Sequence, residues 1–227
     1  DWNGFRFYDL IFPLFLFIAG VATPYSVGRQ LEKGVSRQKL LWRVIKRGLI
    51  LVVLGIIYNN GLSIQPISEM RFGSVLGRIG LAYMFANIIY LYTPKQRNQI
   101  IWTGSLLLGY WIILLCTSAP GFPAGDLTIE GNFASYMDRL LVPGKLYVNN
   151  IHDPEGLFST IPAIATGLLG ILTGGFLKNS SLSPNTKAVR LLAAGAALVV
   201  VALLWNIAFP FNKNLWSSSF ATLVGGI

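Results

Sequence analysis

The feature that most constrains this chain is a row of long apolar stretches: Asp9 to Val27, Gly48 to Ile64, Ser74 to Tyr92, Ile100 to Thr117, Leu157 to Leu177 and Leu191 to Phe209. Each approaches the ~20 residues that an α-helix needs to cross the hydrocarbon core of a bilayer. Backbone in that core finds no water to bond to, and a helix satisfies its own N–H and C=O groups. These runs predict an all-α fold, a polytopic transmembrane helical bundle of about six full spans. Only 12% of the 227 residues are charged, half the roughly 25% of a soluble domain. A further apolar stretch, Ser219 to Ile227, is too short to span as helix. No signal-peptide pattern precedes the first run, which follows Asp1 rather than Met. The expectation is a single transmembrane domain over 1–227, truncated at both ends.

The net charge of +9 would suit a nucleic-acid binder if the charges were mixed, but they are sorted by loop. Arg29, Lys33, Arg37, Lys39, Arg43, Lys46 and Arg47 lie about the first connection, opposed only by Glu32. Alternate connections add Lys95 and Arg97, then Lys178, Lys187 and Arg190. Basic loops stay cytoplasmic, so these predict the cytoplasmic side. The intervening segments carry Arg6, Arg71, Arg139, Lys145 and Lys213 against eight carboxylates, a net of −3. The basic balance is therefore a topology signal, and nucleic acid is excluded as a partner. Cys116 is the only cysteine, so neither an intrachain disulfide nor a cysteine-rich metal site is available.

The acidic side collects the informative segments. A connection from Ser118 to Gly156 is far longer than the usual link between helices, and such loops are commonly functional. Within it "GNFASYMDRLL" places Phe133, Met137, Leu140 and Leu141 at helical spacing, which predicts an amphipathic helix on the outer surface. In "HDPEGLFSTIP" Asp153 suits a helix cap, Pro154 a first helical position and Glu155 the positive end of a helix dipole. The alternative is that Asp153 or Glu155, stripped of water at the membrane edge, handles a proton, with His152 as base or nucleophile. Asp9 enters the first apolar run and Arg78 lies roughly 7 Å inside the third, at 1.5 Å per residue. Each needs a partner: they pair with one another, or Arg78 holds a phosphate or a polarised carbonyl oxygen. "PFNKNLWSSSFA" brings Asn212, Lys213, Asn214 and Trp216 to the same side. Amides, charges and rings from four segments make a polar pocket with surfaces suited to stacking on sugar. There is no phosphate-binding glycine loop, no metal-ligand spacing and no G-x-S-x-G elbow.

Taken in order, "WNGFRFYDLIFPLFLFIAG", "RFGSVLGRIGLAY", "ASYMDRLL", "DPEGLFSTIPAIATGLLGILTG" and "NKNLWSSSFATL" resemble the transmembrane acetyltransferases typified by heparan-α-glucosaminide N-acetyltransferase, together with related bacterial membrane proteins. The resemblance implies transfer of an acetyl group from cytoplasmic acetyl-CoA, with no metal, to an amino sugar or glycan across the membrane. It implies a bilayer-embedded protein with its polar loops periplasmic or lumenal, and favours a bacterial inner membrane. The family's catalytic histidine precedes the Trp2-Asn3-Gly4 motif, so its position falls before Asp1 and its role does not pass to His152. The motif positions carried over are Asn3, Asp9, Arg78, Asp138, Arg139, Asp153, Glu155, Asn212, Lys213, Asn214 and Trp216. Asp153 or Glu155 would then orient the histidine or take a proton, Asn3 or Asn214 would stabilise the oxyanion, and Trp216 would stack on sugar. The acceptor's identity and homo-oligomerisation stay open. The rival reading is a glycan permease without catalysis. Transporters tend to show repeated halves and sites near the bilayer midplane, whereas no repeat is visible here and the polar groups gather at one interface.

Overall fold

A computed structural model describes residues 2–62 and 65–227; Asp1 and the predicted end of the second span, Ser63 and Ile64, lie outside them. The helices are α1 Ile11–Glu32, α2 Arg37–Asn60, α3 Val75–Tyr92, α4 Gln96–Cys116, α5 Phe133–Leu141, α6 Thr160–Lys178, α7 Pro184–Ala208 and α8 Ser218–Gly226. Among the described residues there is no strand, only two isolated bridges, Arg71 to Gly144 and Val148 to His152. Five helices, α1, α3, α4, α6 and α7, are long and apolar enough to cross a membrane. The sixth predicted span, α2, has 24 residues, but its first half carries Arg37, Lys39, Arg43, Lys46 and Arg47. Its apolar length is correspondingly shorter.

The helices outrun their apolar stretches on the basic side. Gln96, Arg97 and the segment from Pro184 to Arg190 are helical although polar, because a helix end in water keeps its backbone bonds while its charged side chains stay hydrated. Local signals fix the starts. Ser36, Ser74, Asn132, Ser183 and Ser217 each accept a hydrogen bond from a backbone N–H in the first turn that follows, which satisfies a donor the helix leaves orphaned.

Small residues decide which helices touch. Along the α1–α6 seam, a β-carbon on Gly20 would strike the Gly167 carbonyl, and one on Gly170 or Gly174 would strike the Phe17 or Val21 carbonyl. Gly48 and Gly80 bring α2 against α3 in the same way. Lipid tails are as apolar as leucine, so close backbone approach, rather than expulsion of water, drives such contacts. Leu16, Ala82, Ala86, Leu168, Ile171 and Phe220 fill the centre. α7 lies at the edge and buries only Ala202.

α5 forms where the sequence predicts an amphipathic helix, and the structure settles which face turns inward. Its buried residues are Ala134, Ser135 and Asp138, while Leu140 and Leu141 are exposed and Phe133 is half-buried. The apolar face looks outward and the polar face is turned in. This happens because the interior it covers, the acidic end of the bundle, is itself polar.

Candidate active site

The segment that roofs the acidic end is held by one arginine. The Arg71 guanidinium donates from Nε to Asp153 Oδ2 at 2.9 Å and from Nη2 to Asp153 Oδ1 at 2.7 Å, and it also reaches Glu155 Oε2. Tyr147 lies against its face at 4.3 Å. Asp153 is 0% exposed and also accepts from the Glu155 and Tyr147 backbone N–H groups. Burial alone would raise its pKa, but the Arg71 pair and these N–H donors overcome that and hold it below the ordinary aspartate value. Asp153 is thus a clamp favoured in its ionised form, with its oxygens occupied. No helix begins here. α6 starts at Thr160 after Ser159, so Asp153 and Pro154 do not take the cap and first-turn positions that the sequence suggests.

Beneath the roof lies a buried polar cluster that is short of partners. Arg78, 1% exposed, donates from Nη2 to the Gly156 carbonyl at 3.1 Å and to Ser159 Oγ, but its Nε and Nη1 have no partner. Trp216 packs beside the guanidinium, 5.2 Å from it. Asp138, on the inner face of α5, accepts from the Phe158 N–H through Oδ1 at 3.0 Å, and its Oδ2 is unpartnered. Gly156 lies directly against that carboxylate, where any β-carbon would collide with Oδ2. Burial pushes the Asp138 pKa up to about 6, against the opposing pull of the Phe158 N–H and the Arg78 charge. His152 Nδ1 shares a 2.7 Å hydrogen bond with Ser135 Oγ, its ring meets Trp2 edge-on at 5.1 Å, and Nε2 has no partner. Burial depresses its pKa to about 4, so it is neutral at physiological pH. Polar atoms left unpaired in a packed interior are costly, and four of those among the described residues belong to this cluster.

The predicted pair between Asp9 and Arg78 does not form. Asp9 accepts from the Arg6 N–H at 2.9 Å and pairs with Lys213 at 3.1 Å. These groups line a cavity of about 270 Å³ with Trp2, Asn3, Tyr8 and Asn214. Asn212 Nδ2 donates to Asn3 Oδ1 at 2.9 Å, which ties the two motif segments together. Arg78 and Glu155 line a different, smaller cavity, so Asn214 shares no single pocket with them. Trp216 joins the two regions. It is fully buried, packs on Phe12 and Phe220, touches Arg78, and follows directly on the segment that supplies Lys213 and Asn214. Its ring is enclosed and offers no open face. Arg139 spans the outer loops, donating to the Ile151 and Glu130 carbonyls. The sequence reading assigned no role to Arg71, Ser135 or Ser159. A lone basic residue in a short loop on the acidic side was the available signal for Arg71.

Against known proteins, no family model matches the chain. It is 30% identical over 98% of its length to heparan-alpha-glucosaminide N-acetyltransferase of Homo sapiens. That similarity runs through every segment that builds this end of the bundle. Over nearly its whole length the chain is similar to heparan-α-glucosaminide N-acetyltransferases. The mouse protein of the same name is 28% identical over the same share. The chain spans about two fifths of the length of these curated relatives, 41% and 42%. Among the described residues no group of histidines, cysteines and carboxylates has the arrangement to hold a metal ion.

Proposed function

We propose that this chain forms part of a membrane acetyltransferase, which moves an acetyl group from acetyl-CoA on the basic side of the bundle to an amino sugar or glycan on the acidic side. The observation that carries this reading is the meeting of the family's motif segments at one end of the bundle, around buried Arg78, Asp138 and His152 atoms that lack partners. A transport path would put such groups near the midplane, whereas these lie near the start of α3, on α5 and in the connection before α6.

In this reaction the acceptor nitrogen attacks the thioester carbonyl carbon. A C–N bond forms, the C–S bond breaks, the ammonium proton passes to a base and coenzyme A leaves as the thiol. The acceptor would sit in the cavity of Trp2, Asn3, Tyr8, Asp9 and Asn214, with the Asp9 carboxylate binding the amine and the amides binding hydroxyls. Tyr8, exposed at that mouth, is the ring available to stack on sugar. The free N–H groups of Arg78 suit a carbonyl oxygen that gains negative charge as the nucleophile adds. Asp153 and Glu155, both engaged by Arg71, hold the roof and leave proton transfer to other groups.

The test is to supply labelled acetyl-CoA to the basic face of proteoliposomes that hold the full-length protein, with glucosamine-terminated glycans inside. Labelled N-acetyl product supports the reading. Accumulation of unmodified glycan without acetyl-CoA would replace it with the permease.

A further inference from the structure

α2 is an edge helix. It packs chiefly on α3, and Leu49, Ile50, Val53, Leu54 and Ile57 on its other faces are exposed, as side chains that meet lipid are. At its acidic end a groove opens between its last two turns and the first turn of α3, floored by Gly55, Val75 and Leu76. Gly55 lies five residues short of Asn60, roughly 7 Å in from the helix end at 1.5 Å per residue. The rim above is polar and comes from the roof: Arg71, Tyr147 and Glu155. Tyr58 and Tyr147 flank it and are exposed, at the level where aromatic rings gather on a bilayer surface. The rim carries one charge of each sign with bonding capacity to spare. Arg71 Nε and Nη2 are taken by Asp153 and Glu155, and Glu155 Oε2 by Arg71, while Arg71 Nη1 and Glu155 Oε1 make no hydrogen bond among the described residues. Unlike the enclosed Arg78 nitrogens these groups can be reached, since the two side chains keep 17% and 15% of their surface.

We infer that this groove holds a phospholipid with a phosphoethanolamine headgroup, from the leaflet on the acidic side. Its phosphate accepts from Arg71 Nη1, its ammonium donates to Glu155 Oε1, and one acyl chain lies along Gly55, Val75 and Leu76. Guanidinium to phosphate and ammonium to carboxylate are both charge-assisted hydrogen bonds. A primary ammonium brings three N–H donors to the carboxylate, whereas the quaternary ammonium of choline brings none. A headgroup whose only charge is its phosphate meets a cluster already at −1, with Arg71 set against Asp153 and Glu155. Charge complementarity therefore selects the zwitterion that carries N–H groups. Such a lipid is a partner of the fold and is independent of the acyl-transfer reading. It bonds to the same arginine and carboxylate that clamp the roof, so the roof is firmer in a membrane that supplies it.

The experiment equilibrates the full-length protein in detergent with equal amounts of phosphatidylethanolamine, phosphatidylcholine and phosphatidylglycerol of identical chains, and measures the lipid retained after gel filtration. Thermal unfolding is recorded beside it in phosphatidylcholine nanodiscs with and without phosphatidylethanolamine. The expected result is retention of phosphatidylethanolamine ~10-fold or more above either competitor, the scale of one charge-assisted hydrogen bond. The unfolding midpoint should rise when phosphatidylethanolamine is present. Glu155→Gln should abolish the preference. Val75→Trp, which fills the floor at a position 46% exposed, should remove the retained lipid whatever its headgroup. Equal retention of the three lipids, preference for phosphatidylglycerol, or a selectivity unchanged in either variant overturns the inference. If Glu155→Gln does not fold, Val75→Trp decides alone. A glucosamine-terminated glycan that binds the wild type and not Val75→Trp, with lipid retention the same in both, gives the groove to the glycan and likewise overturns it.

Discussion

Arg71 and Asp138 show two opposite fates of charge at one membrane edge. Asp153 stays ionised because a bidentate guanidinium and two backbone N–H groups replace the water it lost. Removing one partner of such a pair leaves the other buried and alone. Arg71→Ala should therefore cost ~3 kcal/mol or more, read as a lowered unfolding midpoint in a denaturant titration. Arg71→Lys should recover only part of this, since a point charge cannot match the fork. Asp138, 1% exposed, gains less, and its pKa near 6 means that the folded state binds a proton the unfolded chain releases above about pH 4. Its contribution is most favourable at low pH and is lost as pH rises from about 4 through 6. His152 runs the other way. Its folded pKa near 4 lies below the usual 6.5, so its contribution is complete above about 6.5 and is lost as pH falls toward 4. Across pH 4–6 the two slopes oppose. Asp138→Asn should unmask the histidine slope, so that stability falls by roughly 2 kcal/mol more than in wild type between pH 6.5 and 4. Equal pH profiles for the two proteins would show that Asp138 titrates normally. Trp216 adds a third case. It holds a left-handed backbone angle, φ 49°, uncommon for a bulky residue. Asn212 secures that turn by accepting from the Leu215 N–H, while its own N–H donates to Ser217 Oγ.

At the scale of elements, the α1–α6 seam depends on the absence of side chains. The Gly20 and Gly170 backbones lie against carbonyls of the facing helix, so that even a methyl group must push the helices apart. Gly20→Val should lower stability by ~1–3 kcal/mol and impair activity through displacement of Arg78 and the roof, because overfilled interfaces shift backbone rather than compress. Gly104, with open space about it, is the control that should tolerate alanine at a cost of a few tenths of a kcal/mol at most. α5 teaches the converse lesson. Its hydrophobic periodicity was legible, but the side it presents inward was not. In water the apolar face would be buried. Against a membrane surface the apolar face can meet lipid, and Ser135 and Asp138 are then free to face the site.

For the whole molecule, charge sorting predicts sidedness. With Cys116 replaced by serine, single cysteines at Lys145 and at Lys33 in sealed, oriented vesicles should label from opposite sides with a membrane-impermeant maleimide, Lys33 from the cytoplasmic side. Labelling of both from one side would contradict the alternation. The chain's path also explains why the buried polar groups concentrate at one end. Four of its connections, together with α5, meet there, whereas the basic end has short turns and a Lys178–Glu32 pair at 2.6 Å.

The sequence by itself determined five of its six predicted spans and the end at which polar side chains collect, because hydropathy and charge act on each segment separately and need no partner to be read. It also named Arg78 and Asp153 as residues in unusual surroundings, since a charge beside an apolar run is costly wherever the chain goes, while Asp138 came only from the family resemblance. What the tertiary structure alone decided was the pairing: Asp9 with Lys213 rather than Arg78, Asp153 with Arg71 rather than a helix start, and Asp138 with one oxygen left over. Pairing depends on distances of a few ångströms between segments far apart in the chain. These distances are set by where glycines let helices meet, and no local pattern encodes them.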